Sequence, residues 1–214
     1  TMLDVEMGFV NNHDEVLDFV GSMTAQVLRQ VYEQHADDLK SLNAPELKLP
    51  EDGKVPRFTI AEIHEMYTKA TKNDTTSEKD LTPDEERWIA DHARKQLGSD
   101  LVYAVAFPRE AGKFYHKFNN DNTVAWGDLL FRGLEIATCP LRENNYDKMV
   151  EQMQRAGLDV EDVGFKYYLQ AFKYGLPMHG GCGFGIDRLV QKTIGLGNVK
   201  EATLFPRDIN RLTP

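Results

Sequence analysis

Val124-Ala125-Trp126-Gly127-Asp128-Leu129-Leu130-Phe131-Arg132-Gly133-Leu134-Glu135-Ile136-Ala137-Thr138 reads as two strands broken at Arg132-Gly133. If that dipeptide is a two-residue hairpin loop, Leu130 lies opposite Glu135 and Asp128 opposite Ala137. Asp128 and Glu135 then stand as diagonal neighbours on one face, roughly 7–8 Å apart. A three-residue loop would send the two carboxylates to opposite faces. Residues 101–107 before it form a short apolar strand ended by Pro108, and residues 114–118 read as another. A helical stretch, then hairpin-connected strands, then a final helix predict an α+β fold. Its sheet is mixed and mostly antiparallel, flanked by helices, rather than doubly wound.

Outward from the hairpin, residues 11–40 carry Val16, Phe19, Val20, Met23, Val27 and Val31 at three- and four-residue steps, a core-facing helical stripe. Residues 43–57 hold Pro45, Pro50, Gly53 and Pro56 and read as a loop. Residues 58–67 start extended and turn helical near Ile60. The polar stretch 68–82 is a surface loop. Thr82-Pro83-Asp84-Glu85 is a capping box with proline at the first helical position, and its helix ends near Gly98. The segment 58–98 is expected to be a helical insertion or a peripheral piece. Residues 145–156 and 160–174 read as helices, 176–185 as glycine-rich chain, and a last helix begins near Ile186. At the start of the chain, Leu3, Val5, Met7 and Phe9 alternate with Met2, Asp4, Glu6 and Gly8, a half-buried strand. A strand there calls for a partner, so the fold is expected to be incomplete at its N-terminus, with residues 1–214 a fragment of a longer catalytic domain.

The 214 residues suffice for a real core, and 41% apolar with 28% charged residues is the balance of an ordinary globular protein. No window approaches the ~18 apolar residues of a membrane-spanning helix, so a membrane protein is not expected, and no signal peptide is visible. Cys139 and Cys182 are too few for a disulfide framework or a four-ligand zinc site and point to a reducing, cytoplasmic setting. A net charge of −9 argues against a surface coated for nucleic acid, though a local basic groove remains compatible with it.

Three features carry chemistry. His179-Gly180-Gly181-Cys182-Gly183-Phe184-Gly185-Ile186-Asp187-Arg188 places four glycines before a helix whose first turn holds Arg188. Glycines admit a close approach to backbone, and a guanidinium beside a helix N-terminus suits an anion. The spacing is not the dinucleotide fingerprint, and Gly-Lys-Ser/Thr is absent. The plainer reading is a glycine-rich turn with a solvated arginine. Asp128 and Glu135 on an otherwise apolar sheet repel unless a cation lies between them, and oxygen-only ligands favour Mg²⁺. The plainer reading is a solvent-facing acidic pair. Arg142, past the break at Thr138-Cys139-Pro140-Leu141, can grip a carboxylate bidentately or simply sit on the surface. His179 and the cysteines read as structural.

Together these segments resemble the catalytic domain of class II aminoacyl-tRNA synthetases of the aspartate/asparagine/lysine subgroup, nearest to aspartyl enzymes of archaeal and eukaryotic type. Gly183-Phe184-Gly185-Ile186-Asp187-Arg188 resembles the third class-defining motif. By that resemblance Arg188 holds the γ-phosphate of ATP, with Gly183 and Gly185 beside the nucleotide. Phe131-Arg132-Gly133-Leu134-Glu135-Ile136 resembles the strand pair that supplies magnesium ligands, which implies Asp128, Glu135 and Thr138 as ligands, with Glu135 and Arg188 the catalytic pair. Arg142 matches the arginine for the substrate's side-chain carboxylate. Gly181 falls in the C-terminal signature that continues into Leu204-Phe205-Pro206-Arg207-Asp208, and Asp4 matches a residue near the substrate ammonium. The resemblance implies ATP and Mg²⁺, aspartate and tRNA as partners, and a homodimer. Cys139-Pro140-Leu141 stands where the family is usually glycine-rich with a glutamine, and Glu143-Asn144 where Ile-His often follows. Both departures lie beside the amino-acid pocket. Asparagine-tRNA ligase, a paralogue making asparagine from aspartyl-adenylate and ammonia, and an inactive synthetase-like module are the alternatives. The first class motif, half of the second and the anticodon-binding barrel have no counterpart in these residues, so weak or absent catalysis is expected of residues 1–214 alone.

Overall fold

The computed structural model describes residues 1–50 and 53–212. Of the loop expected over 43–57, residues 51 and 52 lie outside that range. The alternating start forms β1 (Met2–Gly8), whose Val5 and Met7 pack on the core. Leu3 and Phe9, expected on the same inward face, are exposed instead. The left-handed φ of 61° at Phe9 ends the alternation just past the strand.

The helix expected over 11–40 is two: α1 (His13–Gln34), capped by the Asn12 side chain, and α2 (Ala36–Ser41), with His35 as the break. The buried stripe of α1 runs through Val16, Leu17, Val20, Thr24 and Leu28, whereas Phe19 and Val27 lie on its wet side. There follow β2 (Arg57–Thr59), α3 (Ile60–Thr71) and α4 (Pro83–Gln96), both helices starting with complete capping boxes. Then come β3 (Leu101–Pro108), β4 (Thr123–Phe131), β5 (Glu135–Pro140), α5 (Tyr146–Arg155), α6 (Lys166–Lys173), β6 (His179–Gly185) and α7 (Ile186–Ile194). Residues 114–118 do not form the expected strand, since only the single bridges His116–Arg142 and Phe118–Val124 hold them. The helix expected from 160 begins at Lys166, because Asp162 caps a separate 3-10 turn at Val163–Phe165.

The strands make one six-stranded sheet in the order β1-β6-β5-β4-β3-β2. Only β2 and β3 run parallel, which confirms the mixed, mostly antiparallel architecture. Period-two alternation gives the sheet two faces. One is covered by α1, whose Val16, Leu17, Val20 and Leu28 pack on Leu101, Tyr103, Leu129, Phe131, Ile136, Cys139 and Phe184. On the other face α3 and α4 bury Ile60, Ile63, Ile89 and Ala93 against Val102, Ala104 and Leu130, the β3–β4 end of the sheet. A third cluster, Met149, Met153, Leu169 and Phe172, ties α5 to α6. The β5-β6-β1 end of that second face carries glycines and charged residues instead of apolar ones.

Candidate functional site

The site is assembled by strand register. Ala104 pairs with Asp128, Asp128 with Thr138, Thr138 with Gly183, and Gly183 with Asp4. Directly opposed residues share a face, so candidates from β4, β5, β6 and β1 stand in one row, on the face that α3 and α4 cover elsewhere. A second row holds Gly181 and Glu6, which pair with each other.

The hairpin turn is the two-residue type: Arg132 and Gly133 both have positive φ, 49° and 74°, and Phe131 and Leu134 exchange backbone hydrogen bonds. Leu130 faces Glu135 as the sequence predicts. Asp128, however, faces Thr138 rather than Ala137, because the register shifts by one between Leu129 and Leu130. The extra residue is Ile136, and both Ile136 and Ala137 pack into the α1-side core. This bulge brings Thr138 onto the face of Asp128 and Glu135, where an unbroken alternation would have turned it away. The Thr138 hydroxyl donates to Glu135 Oε1 at 2.9 Å.

Asp128 is buried, and Trp126 Nε1–H donates to its Oδ1 at 2.7 Å. Burial first, and the charge of Glu135 second, push its carboxyl up to about 8. The charge of Glu135 thus sits close enough to oppose the ionisation of Asp128. Arg188 Nη1 donates to the Glu135 carbonyl oxygen at 2.8 Å and lies 3.6 Å from Glu135 Oε2. Glu135, Thr138, Gly183, Gly185 and Arg188 line a cleft of about 370 Å³ open to solvent. Sequence reasoning missed Glu86, on the first turn of α4. Burial, Glu135 and Asp80 raise its carboxyl to about 7, opposed by Arg188. Its place among the charges of a helix that begins with a capping box gave no signal.

Oxygen donors only, with one carboxyl kept protonated first by burial and then by the charge of its neighbour, make a set that a hard divalent cation fits. Among the described residues no cluster of three or more His, Cys, Asp or Glu is placed to hold a metal. Two carboxylates and a hydroxyl therefore leave part of an ion's shell to ligand oxygens and water, as Mg²⁺ prefers.

Across the row from this cleft lies a second, of about 360 Å³, lined by Glu6, Phe114, Tyr115, Arg142, Phe165, Tyr168 and His179. Arg142 Nε donates to Glu6 Oε1 at 2.9 Å, and its guanidinium rests 5.0 Å from the Tyr115 ring centroid. Glu6 and the aromatic walls were also missed. The aromatic wall residues come from two separate segments, 114–115 and 165–168, and share no sequence spacing with Glu6 or Arg142. His179 donates from Nδ1 to the Pro177 carbonyl at 2.9 Å, a structural bond. Gly181 pairs with Glu6 in the row between the clefts, and a β-carbon there would lie 1.8 Å from the Val5 carbonyl oxygen. Thus Glu135, Thr138, Gly183, Gly185 and Arg188 gather at one cleft, with Asp128 buried beside it in register with Thr138; Arg142 lines the other, and Asp4 and Gly181 stand in the row between.

A family model described as "tRNA synthetases class II (D, K and N)" matches residues 1–209. The chain is 36% identical over 212 residues to the aspartate–tRNA(Asp/Asn) ligase of Thermus thermophilus, covering 99% of this chain and 49% of that protein. It is 35% identical over 215 residues to the aspartate–tRNA(Asp) ligase of Pyrococcus abyssi, covering 99% of this chain and 48% of that protein. The aspartyl tRNA synthetase structure from Entamoeba histolytica superposes with a TM-score of 0.89 at 27% identity, over 100% of this chain and 44% of the other. The chain spans about half the length of the curated relatives it matches.

Proposed function

Because the chain belongs to the class II tRNA synthetases of the D, K and N group, we propose that it forms the part of an aspartate–tRNA ligase that activates aspartate with ATP. The observation that carries this reading is the gathering of Thr138, Glu135 and Arg188 at one cleft, with Asp128 buried beside Thr138 and Arg142 in the adjoining cleft. In the reaction a carboxylate oxygen of aspartate attacks the α-phosphorus of ATP. The bond to the bridging oxygen breaks, and pyrophosphate leaves with the electron pair. A ribose hydroxyl of tRNA then attacks the acyl carbon of the adenylate and releases AMP. Neither step asks the protein for covalent chemistry; both ask for alignment and charge neutralisation.

Arg188, tethered through Glu135, presents its remaining donors to the terminal phosphate. Mg²⁺, held by Asp128, Glu135 and Thr138, supplies charge neutralisation on the phosphates when bound. Arg142 has Nε committed to Glu6, which leaves its outer nitrogens for the side-chain carboxylate of aspartate. Asp4, beside Gly183, takes the substrate ammonium. The side-chain-free backbone at Gly183 lets substrate lie close to the strand. The same reading places the protein in the cytoplasm as a homodimer. Asparagine is the competing substrate, since the Glu6 carboxylate beside Arg142 can accept from a side-chain amide.

The experiment is amino-acid-dependent ATP–pyrophosphate exchange by the protein as its gene encodes it. Exchange with aspartate supports the reading; exchange with asparagine alone transfers it to the sister activity; no exchange with either overturns it. Arg188→Ala is expected to weaken Mg·ATP binding about 10- to 100-fold, as loss of a charged hydrogen-bond partner implies; calorimetric titration checks this. Arg142→Ala is expected to raise the KM for aspartate by a similar factor with the KM for ATP little changed, read from exchange rates at varied aspartate.

A further inference from the structure

Arg132 sits in the hairpin turn, is the only non-glycine of its two left-handed residues, and is far more connected than a turn residue needs to be. Its Nε and Nη2 grip Asp100 Oδ2 at 3.0 and 2.8 Å, and Asp100 is fully buried. Nη2 also donates to the Glu46 carbonyl at 2.9 Å and the Pro45 carbonyl at 3.2 Å. Nη1 donates to the Lys192 carbonyl at 2.8 Å and reaches Tyr32 Oη at 3.3 Å. Lys192 is in the last turn of α7, where unpaired carbonyls and the negative end of the helix dipole favour a cation.

The other end of α7 is bound to the same hairpin. Arg188, in its first turn, donates to the Glu135 carbonyl at the start of β5. The helix is therefore clasped to the hairpin at both ends, by Arg188 at its N-terminal turn and by Arg132 at its C-terminal turn. The site depends on the relative placement of these two elements, because Asp128 and Glu135 ride on one and Arg188 on the other. We infer that Arg132 is a positioning residue for the ATP cleft: by holding the end of α7 against the hairpin turn, it sets where Arg188 stands relative to Asp128 and Glu135. This rests on the synthetase reading above. Arg132 touches no substrate; it acts through Arg188 and Glu135. The guanidinium fork matters because it serves carbonyls of α7, carbonyls of residues 45 and 46 and a buried carboxylate at once, which an ammonium cannot.

Structural loss and positioning loss are separated by a matched control. Arg94 also pairs with Asp100 and donates to the Glu46 carbonyl, but among the described residues no bond joins it to the hairpin turn or to α7. Aspartate-dependent exchange is measured for wild type, Arg132→Lys, Arg132→Ala and Arg94→Ala, with melting temperatures alongside. In the Arg132 variants the KM for Mg·ATP is expected to rise at least tenfold, with the KM for aspartate within twofold. Arg132→Lys recovers part of the loss. Arg94→Ala is expected to lower the melting temperature while keeping both KM values within twofold. Equal rises in both KM values, the same ATP defect in Arg94→Ala, or Arg132 variants that do not fold while Arg94→Ala does would each overturn the inference in favour of a purely structural arginine. A wild-type protein with no exchange would instead overturn the functional reading beneath it.

Discussion

Asp128→Asn is expected to make the protein more stable and at the same time to abolish the divalent-cation binding proposed for it. The carboxyl of Asp128 titrates near 8 in the fold, against about 3.9 for an unfolded chain. Between those values the folded state holds a proton that the unfolded state has released. Folded-state proton binding exceeds unfolded binding there, so stability falls as pH rises from about 4 to about 8 and levels off above. By pH 7 the gap is about 3 pKa units, an upper bound of about 4 kcal/mol. Asparagine keeps an oxygen for the Trp126 indole N–H and removes the penalty. Chemical denaturation of both proteins at pH 5 and pH 8, without metal, gives the comparison. The wild type is expected to lose clearly more stability between these pH values than the variant, which retains only the smaller loss from Glu86, whose carboxyl is raised to about 7. Cation-dependent ATP binding should be lost only in the variant. A wild type equally stable at both pH values would mean that the carboxyl is already ionised by pH 5, and the electrostatic account of the site would fail with it.

Gly181→Ala carries the second large effect. Its new methyl would lie 1.8 Å from the Val5 carbonyl oxygen and 2.4 Å from Glu6 Oε2. The nearer atom is backbone, so relief requires β1 to move off β6. The strain belongs at or above the upper end of overpacking costs, about 3 kcal/mol. Gly183→Ala is the matched comparison. Its methyl would meet only the end of Met2 at 3.1 Å and Asp4 Oδ1 at 3.5 Å, both ends of side chains that can swing aside. Hydrogen exchange of the β1 amides should therefore quicken strongly in Gly181→Ala and little in Gly183→Ala, with melting temperatures in the same order. Equal protection in the two variants would contradict the close approach of β1.

The sequence made the hairpin legible because its turn is a local feature. Arg132-Gly133 closes the loop, and the Leu130–Glu135 pairing follows from counting. Counting fails one step later. Nothing in Ile136-Ala137 announces a bulge, since both residues are apolar and both are buried, so the pairing of Asp128 with Thr138 is set by the core under α1. The glycine-rich chain before α7 was equally opaque. Its intrinsic strand preference is poor, and β6 exists because β1 and β5 supply ladders on both sides. Residues 114–118 show the reverse: apolar residues where a strand is expected, but no continuous ladder to make one. The candidates that sit in quoted motifs (Arg188, Glu135, Asp128, Arg142) were legible from spacing and resemblance. Glu86 and Glu6 were not, because each acquires its neighbours only when α4 meets the hairpin or β1 meets β6.

The bulge at Ile136 also limits how this hairpin can change length. Losing the one extra residue between Glu135 and Thr138 would remove the bulge, restore strict alternation and leave Thr138 on the face of Asp128 and Glu135. Losing a second would turn the Thr138 hydroxyl beneath the sheet toward α1 and bring Cys139 into the open cleft. The strand can therefore shed its bulge residue alone and keep the orientation of the site.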